Sequence, residues 1–127
     1  MELKLNFEKL GGLLPAVIQD FKTSKVLMVG FLNEEALRKT LETGLMHFYS
    51  RTRNKIWLKG ETSKHYLVVK EVLVDCDEDT LLFKVDPKGP VCHEGYGSCF
   101  YRKLGEKGLE IIEEKLFNPE EVYGKKA

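Results

Sequence analysis

Three cysteines, Cys76, Cys92 and Cys99, fall close together in the second half of the chain. An odd number cannot form a complete intrachain disulfide framework, so a packed core has to hold this fold together. The sequence can supply one. It has 127 residues, 43% hydrophobic and 31% charged, the balance of one soluble domain spanning 1–127. Lys+Arg and Asp+Glu each total 20, giving zero net charge and no bulk electrostatic pull toward nucleic acid or an anionic membrane. No run reaches transmembrane length, and Met1-Glu2-Leu3-Lys4-Leu5 does not open a secretory signal. The expected location is cytoplasmic, with the cysteines as thiols or metal ligands.

Apolar runs at Ala16–Phe21 and Val26–Phe31 flank the polar Lys22–Lys25 and predict a β-hairpin. Asn33 is a good helix N-cap, Glu34 and Glu35 complement the helix dipole, and Gly44 suits the C-terminus, so Glu34–Thr43 is expected to be helical. Met46–Ser50 and Lys55–Lys59 read as strands around a polar turn, followed by strand character at His65–Val74 and Leu81–Val85. Phe100–Leu104 and Leu109–Ile112 suit a last hairpin, although Glu110–Leu116 fits a helix equally well. Asn118-Pro119-Glu120-Glu121 marks a further helix start. Most connections are too short for crossovers. The expectation is a β-dominated α+β fold, with a mostly antiparallel sheet and a short helix.

Cys76 lies inside an acidic run, Asp75-Cys76-Asp77-Glu78-Asp79. On an extended backbone Asp75, Asp77 and Asp79 share one face and Cys76 takes the other. Carboxylates so close need an offsetting cation, such as magnesium or calcium. An EF-hand loop is excluded, because Thr80 and Asp86 stand where that loop needs glycine and glutamate. A solvated acidic turn at a strand end is the competing reading.

Cys76, Cys92 and Cys99 make an incomplete tetrahedral shell, the number of protein ligands typical of a catalytic zinc site. Cys92 and Cys99 lie farther apart than a zinc-knuckle pair, and buried cysteines also serve as small hydrophobes. His93, adjacent to Cys92, is better placed as an acid/base group than as a ligand to the same ion. Ser50-Arg51-Thr52-Arg53 offers two guanidinium forks beside hydroxyls, chemistry suited to phosphate. Lys59-Gly60-Glu61-Thr62-Ser63 adds a lysine and further hydroxyls; either stretch also fits an ordinary exposed turn. His65 suits a catalytic base or a structural histidine, His47 a packing or surface position, and Trp57 the core.

Several of these motifs occur in a characteristic order. Trp57-Leu58-Lys59-Gly60-Glu61-Thr62-Ser63 precedes Asp75-Cys76-Asp77-Glu78-Asp79, which precedes Cys92-His93-Glu94-Gly95 and Ser98-Cys99-Phe100. Together with Asn33–Leu37, Thr43-Gly44 and Ser50–Arg53, this order strongly resembles the phosphoribosyl-AMP cyclohydrolase family of histidine biosynthesis. The resemblance covers about residues 13–104 and leaves 105–127 as a C-terminal extension too short for a fused pyrophosphohydrolase.

The resemblance implies an intertwined homodimer that uses Zn2+, one per subunit, and Mg2+. It implies hydrolytic opening of the purine ring of phosphoribosyl-AMP between nitrogen 1 and carbon 6. Carried over, the zinc ligands are Cys76, Cys92 and Cys99, with Cys76 supplied by the partner subunit, and the magnesium ligands are Asp75, Asp77 and Asp79. His93 is the first choice for moving the proton and His65 the second. Ser50, Arg51, Arg53, Lys59, Glu61, Thr62 and Ser63 are the expected substrate-binding residues. Lys64 and Leu67 depart from the family's usual glycine and glutamine on either side of His65. The alternative is a non-catalytic protein in which zinc staples a nucleotide-binding dimer.

Overall fold

The computed structural model describes residues 4–124. Strands β1 (Leu14–Asp20) and β2 (Val26–Leu32) form the expected hairpin. Its turn is closed locally: the Asp20 carboxylate accepts hydrogen bonds from the Lys22 and Thr23 amides at 2.8 and 3.3 Å. Period-two alternation along β1 drives Leu14, Ala16 and Ile18 inward, each wholly buried.

Helix α1 spans Glu34–Thr43, the range its caps predict. The Asn33 side chain accepts from the Ala36 amide at 2.9 Å, and Gly44 ends the helix with a positive φ of 74°. Buried Thr40 donates its hydroxyl to the Ala36 carbonyl and accepts from the His47 amide at 2.9 Å. This fixes the helix to β3 (His47–Ser50), which pairs with β4 (Lys55–Leu58) in a small two-stranded sheet.

The main sheet has the order β2-β1-β6-β5, completed by β5 (Leu67–Val74) and β6 (Leu81–Pro87). Most pairings are antiparallel, as expected, but β1 and β6 run parallel, from Ala16 beside Leu81 to Asp20 beside Val85. Short connections had argued for antiparallel neighbours. The parallel pair is made across the whole intervening chain, which is long enough to return β6 to the open edge of β1. The core forms where Leu14, Ala16 and Ile18 meet Leu81, Phe83 and Val85, with Met46, Phe48 and Leu67 packed over them. Burying a side chain such as Phe83 stabilises the fold by roughly 1.5–3 kcal/mol.

After a glycine-rich loop come β7 (Arg102–Gly105) and β8 (Gly108–Ile111), an antiparallel hairpin with Leu104, Leu109 and Ile111 exposed. Glu110 and Ile111 thus belong to a strand, and among the described residues no helix lies between β8 and α2 (Pro119–Tyr123), which Asn118 caps. Among the described residues, no helix is long and apolar enough to cross a membrane.

Candidate metal and nucleotide site

Cys92 and Cys99 lie on the loop between β6 and β7, and contacts from several distant segments fix this loop. The Cys99 amide donates to the Leu27 carbonyl at 2.7 Å. The fully buried Ser98 hydroxyl lies 2.9 and 3.2 Å from the carbonyls of Val26 and Leu27, and accepts from the Phe100 amide at 2.9 Å. Within the loop the Val91 and Cys92 amides donate to the carbonyls of Gly97 and Tyr96. The C-terminal extension also attaches here. The Leu116 amide donates to the Gly95 carbonyl at 2.7 Å, and a Cβ on Gly95 would collide with the Phe117 carbonyl.

The Cys92 thiol is buried and interacts directly with that of Cys99. Burial, then the neighbouring Cys92 charge, pushes the Cys99 thiol up to about 11, with Lys59 opposing. Cys99 is exposed as a residue, although its thiol is partly desolvated. Two neighbouring thiols are half of a soft-metal shell, and this donor set fits zinc. Among the described residues of one chain the three cysteines do not gather into a single group, because Cys76 is exposed on the acidic turn.

Lys59 is buried, with its ammonium 2.6 Å from the Val91 carbonyl. Burial holds its pKa below the usual lysine value, while Cys99 and Cys92 pull it upward. Six positions on, His65 Nδ1 lies 3.0 Å from the Pro90 carbonyl. A carbonyl only accepts, so Nδ1 carries the hydrogen and Nε2 keeps its lone pair in the neutral ring. Gly89 packs against this ring and Phe117 meets it edge-on at 5.2 Å. His93, by contrast, is exposed, with Nε2 3.2 Å from the Glu94 carboxylate. His47 binds the Leu45 carbonyl through Nδ1, within β3.

The acidic residues do converge, but not as an extended strand. β5 ends at Val74, and 75–79 form a turn in which Glu78 adopts a left-handed φ of 62°. One Asp75 oxygen accepts from the Asp79 and Thr80 amides at 3.0 and 3.1 Å, which closes the turn. This corrects the alternation expected for the ladder: local capping by Asp75 gathers the carboxylates, with ligand oxygens within 4.8 Å of one another. Such a cluster is compatible with a metal ion.

A lysine from the N-terminal segment meets this cluster. Lys9 lies 2.8 Å from Asp77 and 3.0 Å from Asp79, and the nearby Asn6 amide donates to the Glu78 carbonyl at 2.7 Å. The ammonium lowers the Asp77 pKa to about 2. Asp75 shifts the other way, chiefly through partial loss of solvation. Nothing in the sequence pattern pointed to Lys9, whose partners lie far along the chain.

The basic turn borders a cleft of about 250 Å³ lined by Phe31, Tyr49, Ser50, Arg51, Thr52 and Trp57, among others. The Arg51 guanidinium stacks 3.9 Å above the Phe31 ring, and the Ser50 hydroxyl accepts from the Arg53 amide. Glu61 and Thr62 are exposed, and Ser63 is half-buried with its hydroxyl accepting from the His65 amide. A larger groove of about 890 Å³ between the N-terminal segment and α1 contains none of the candidate residues. Its walls, including Leu5, Phe7, Leu37 and Leu41, offer no thiol, histidine or hydroxyl, so its size does not make it the chemical site.

Comparison with known proteins agrees with this arrangement. Residues 28–101 match a family model described as Phosphoribosyl-AMP cyclohydrolase. That span takes in β2, the basic turn, the acidic turn and the thiol loop. A phosphoribosyl-AMP cyclohydrolase of Solibacter usitatus is 52% identical over 126 residues, covering 98% of this chain and 100% of that protein. Those of Chlorobium chlorochromatii and Methanothrix thermoacetophila are 56% and 54% identical, covering 91% and 89% of this chain and 85% and 91% of theirs. Matched by the family model over more than half of its residues and by the Solibacter usitatus relative nearly end to end, the chain belongs to the phosphoribosyl-AMP cyclohydrolase family.

Proposed function

We propose that this chain hydrolyses 1-(5-phosphoribosyl)-AMP to the ring-opened formimino-aminoimidazole carboxamide ribonucleotide (ProFAR), a step of L-histidine biosynthesis. The observation that carries this reading is the paired thiols of Cys92 and Cys99, on a loop that also bears His93, inside the region matched to the family. The ribosyl group on nitrogen 1 withdraws electrons and makes carbon 6 electrophilic. Water adds at carbon 6, its oxygen becomes the carboxamide oxygen, and nitrogen 1 departs with a proton as the amidine nitrogen.

Cys92 and Cys99 of one protomer, with Cys76 of the partner subunit, would hold zinc in a homodimer. When bound, zinc supplies Lewis acidity at the attacking water. Asp75, Asp77 and Asp79 would hold magnesium, displacing the Lys9 ammonium from Asp77 and Asp79. His93, exposed beside Cys92, takes and returns the proton; His65, with Nε2 unprotonated in the neutral ring, is the second choice. Arg51 and Arg53 bind substrate phosphate beside Ser50, and Glu61, Thr62 and Ser63 bind the sugar or phosphate hydroxyl and oxygen atoms.

The test supplies phosphoribosyl-AMP and follows the ring-opened product, with metal analysis on the same sample. Turnover by the zinc-loaded dimer is expected. A fully zinc-loaded dimer that binds nucleotide without turning it over would establish the non-catalytic alternative instead.

A further inference from the structure

Lys59 was expected to meet substrate phosphate, yet its ammonium is buried and hydrogen-bonded to the Val91 carbonyl, the residue before Cys92. Its own backbone is fixed as well, the Lys59 amide donating to Met46 at 3.1 Å. His65 binds the preceding carbonyl, that of Pro90. Two side chains of one segment thus grip two consecutive carbonyls at the entrance to the thiol loop. One of the two grips is an ammonium group, held on the residue next to Cys92 and interacting electrostatically with Cys99 and Cys92.

We propose that Lys59 is the fixed counter-charge of the Cys92–Cys99 thiolate pair and, with His65, positions the loop that carries them. This rests on the reading of that pair as zinc ligands. Three thiolates around one divalent ion leave a net negative charge, and a buried charge is costly unless a partner of opposite sign stands beside it. An ammonium held next to two of the three sulfurs restores neutrality without taking a coordination position. One of its three N–H donors goes to Val91, leaving the others for sulfur. Lys59 is therefore a positioning residue for the metal and makes no contact with phosphate.

The test measures zinc affinity of the purified full-length protein by chelator competition, in wild type, Lys59→Gln and Cys92→Ser. Glutamine removes the charge and retains N–H donors, on a side chain one bond shorter. Lys59→Gln is expected to weaken zinc binding roughly 10- to 100-fold, the usual effect of losing a partner of the ligand shell. Cobalt-loaded Lys59→Gln is expected to show a displaced thiolate-to-cobalt charge-transfer band, which a merely structural role would not move. A raised KM for phosphoribosyl-AMP with unchanged zinc affinity would overturn the proposal and return Lys59 to the phosphate. Unchanged affinity in Lys59→Gln alongside loss of zinc in Cys92→Ser overturns this inference alone. Zinc binding that survives Cys92→Ser overturns the metal reading beneath it too.

Discussion

The thiol loop and the acidic turn carry the two proposed ligand sets, and they are built in opposite ways. The acidic turn makes its shape largely from its own residues: Asp75 caps it, Glu78 bends it, and Asn6 and Lys9 of the N-terminal segment reach in from afar. The thiol loop owes its shape to the rest of the protein, through Leu27, Lys59, His65 and Leu116. A hard, oxygen-bound ion tolerates a flexible, hydrated cage. A tetrahedral sulfur shell has stricter distance demands, and here it is placed on a scaffold of buried contacts.

The largest effect expected from breaking this contrast is at Cys92. Cys92→Ser removes a buried sulfur ligand, so zinc content by metal analysis and product formation should fall together to background. Retained activity would take Cys92 out of the site. Next, Asp77→Asn should lower activity more than zinc content, because the turn is a separate oxygen site. Equal loss of both would merge the two regions into one.

A third change leaves the metals aside. Ser98→Ala removes the hydroxyl of a wholly buried residue that bonds the Val26 and Leu27 carbonyls and the Phe100 amide, and should cost about 1–3 kcal/mol in denaturant unfolding of metal-free protein. A stability equal to wild type would show that the Ser98 contacts do not anchor the loop.

The smallest effect is electrostatic. Lys9 holds the Asp77 pKa at about 2, below its ordinary value, so the carboxylate's stabilising contribution is present above the ordinary pKa and lost as pH falls through about 2. In metal-free Lys9→Gln, NMR titration of the Asp77 carboxyl should give a pKa raised toward the ordinary value, with thermal stability nearly unchanged because the pair is solvent-exposed. An unmoved pKa would remove Lys9 from the turn.

The same contrast explains what could be read from the chain alone. Helix α1 was legible because Asn33 and Gly44 mark its ends locally, and the β1–β2 hairpin followed from apolar runs around a polar turn; the β7–β8 stretch fitted a hairpin or a helix, and its cross-strand pairing decides for the hairpin. The acidic residues were recognisable as a cluster, but their geometry was not. Alternation assumes an extended backbone, and Asp75 bends it by accepting two amides. The burial of Lys59 was hidden because it depends on Val91. Likewise nothing local announced that β6 would lie parallel to β1. Residue-type patterns carry local capping and periodicity; they do not carry which distant carbonyl a lysine will find.

That parallel pairing has a consequence for the order in which the molecule assembles. The β1–β2 hairpin and α1 can form while the chain is still being synthesised, since the bonds that pair the hairpin and cap the helix are near in sequence. The centre of the sheet cannot close until residues 81–85 arrive to lie against residues 16–20. Contacts of such wide sequence separation slow folding, because the connecting chain must be ordered before they form. The thiol loop follows β6 directly, so the Ser98 hydroxyl and the Cys99 amide meet their anchors on β2 only after the slow step is complete.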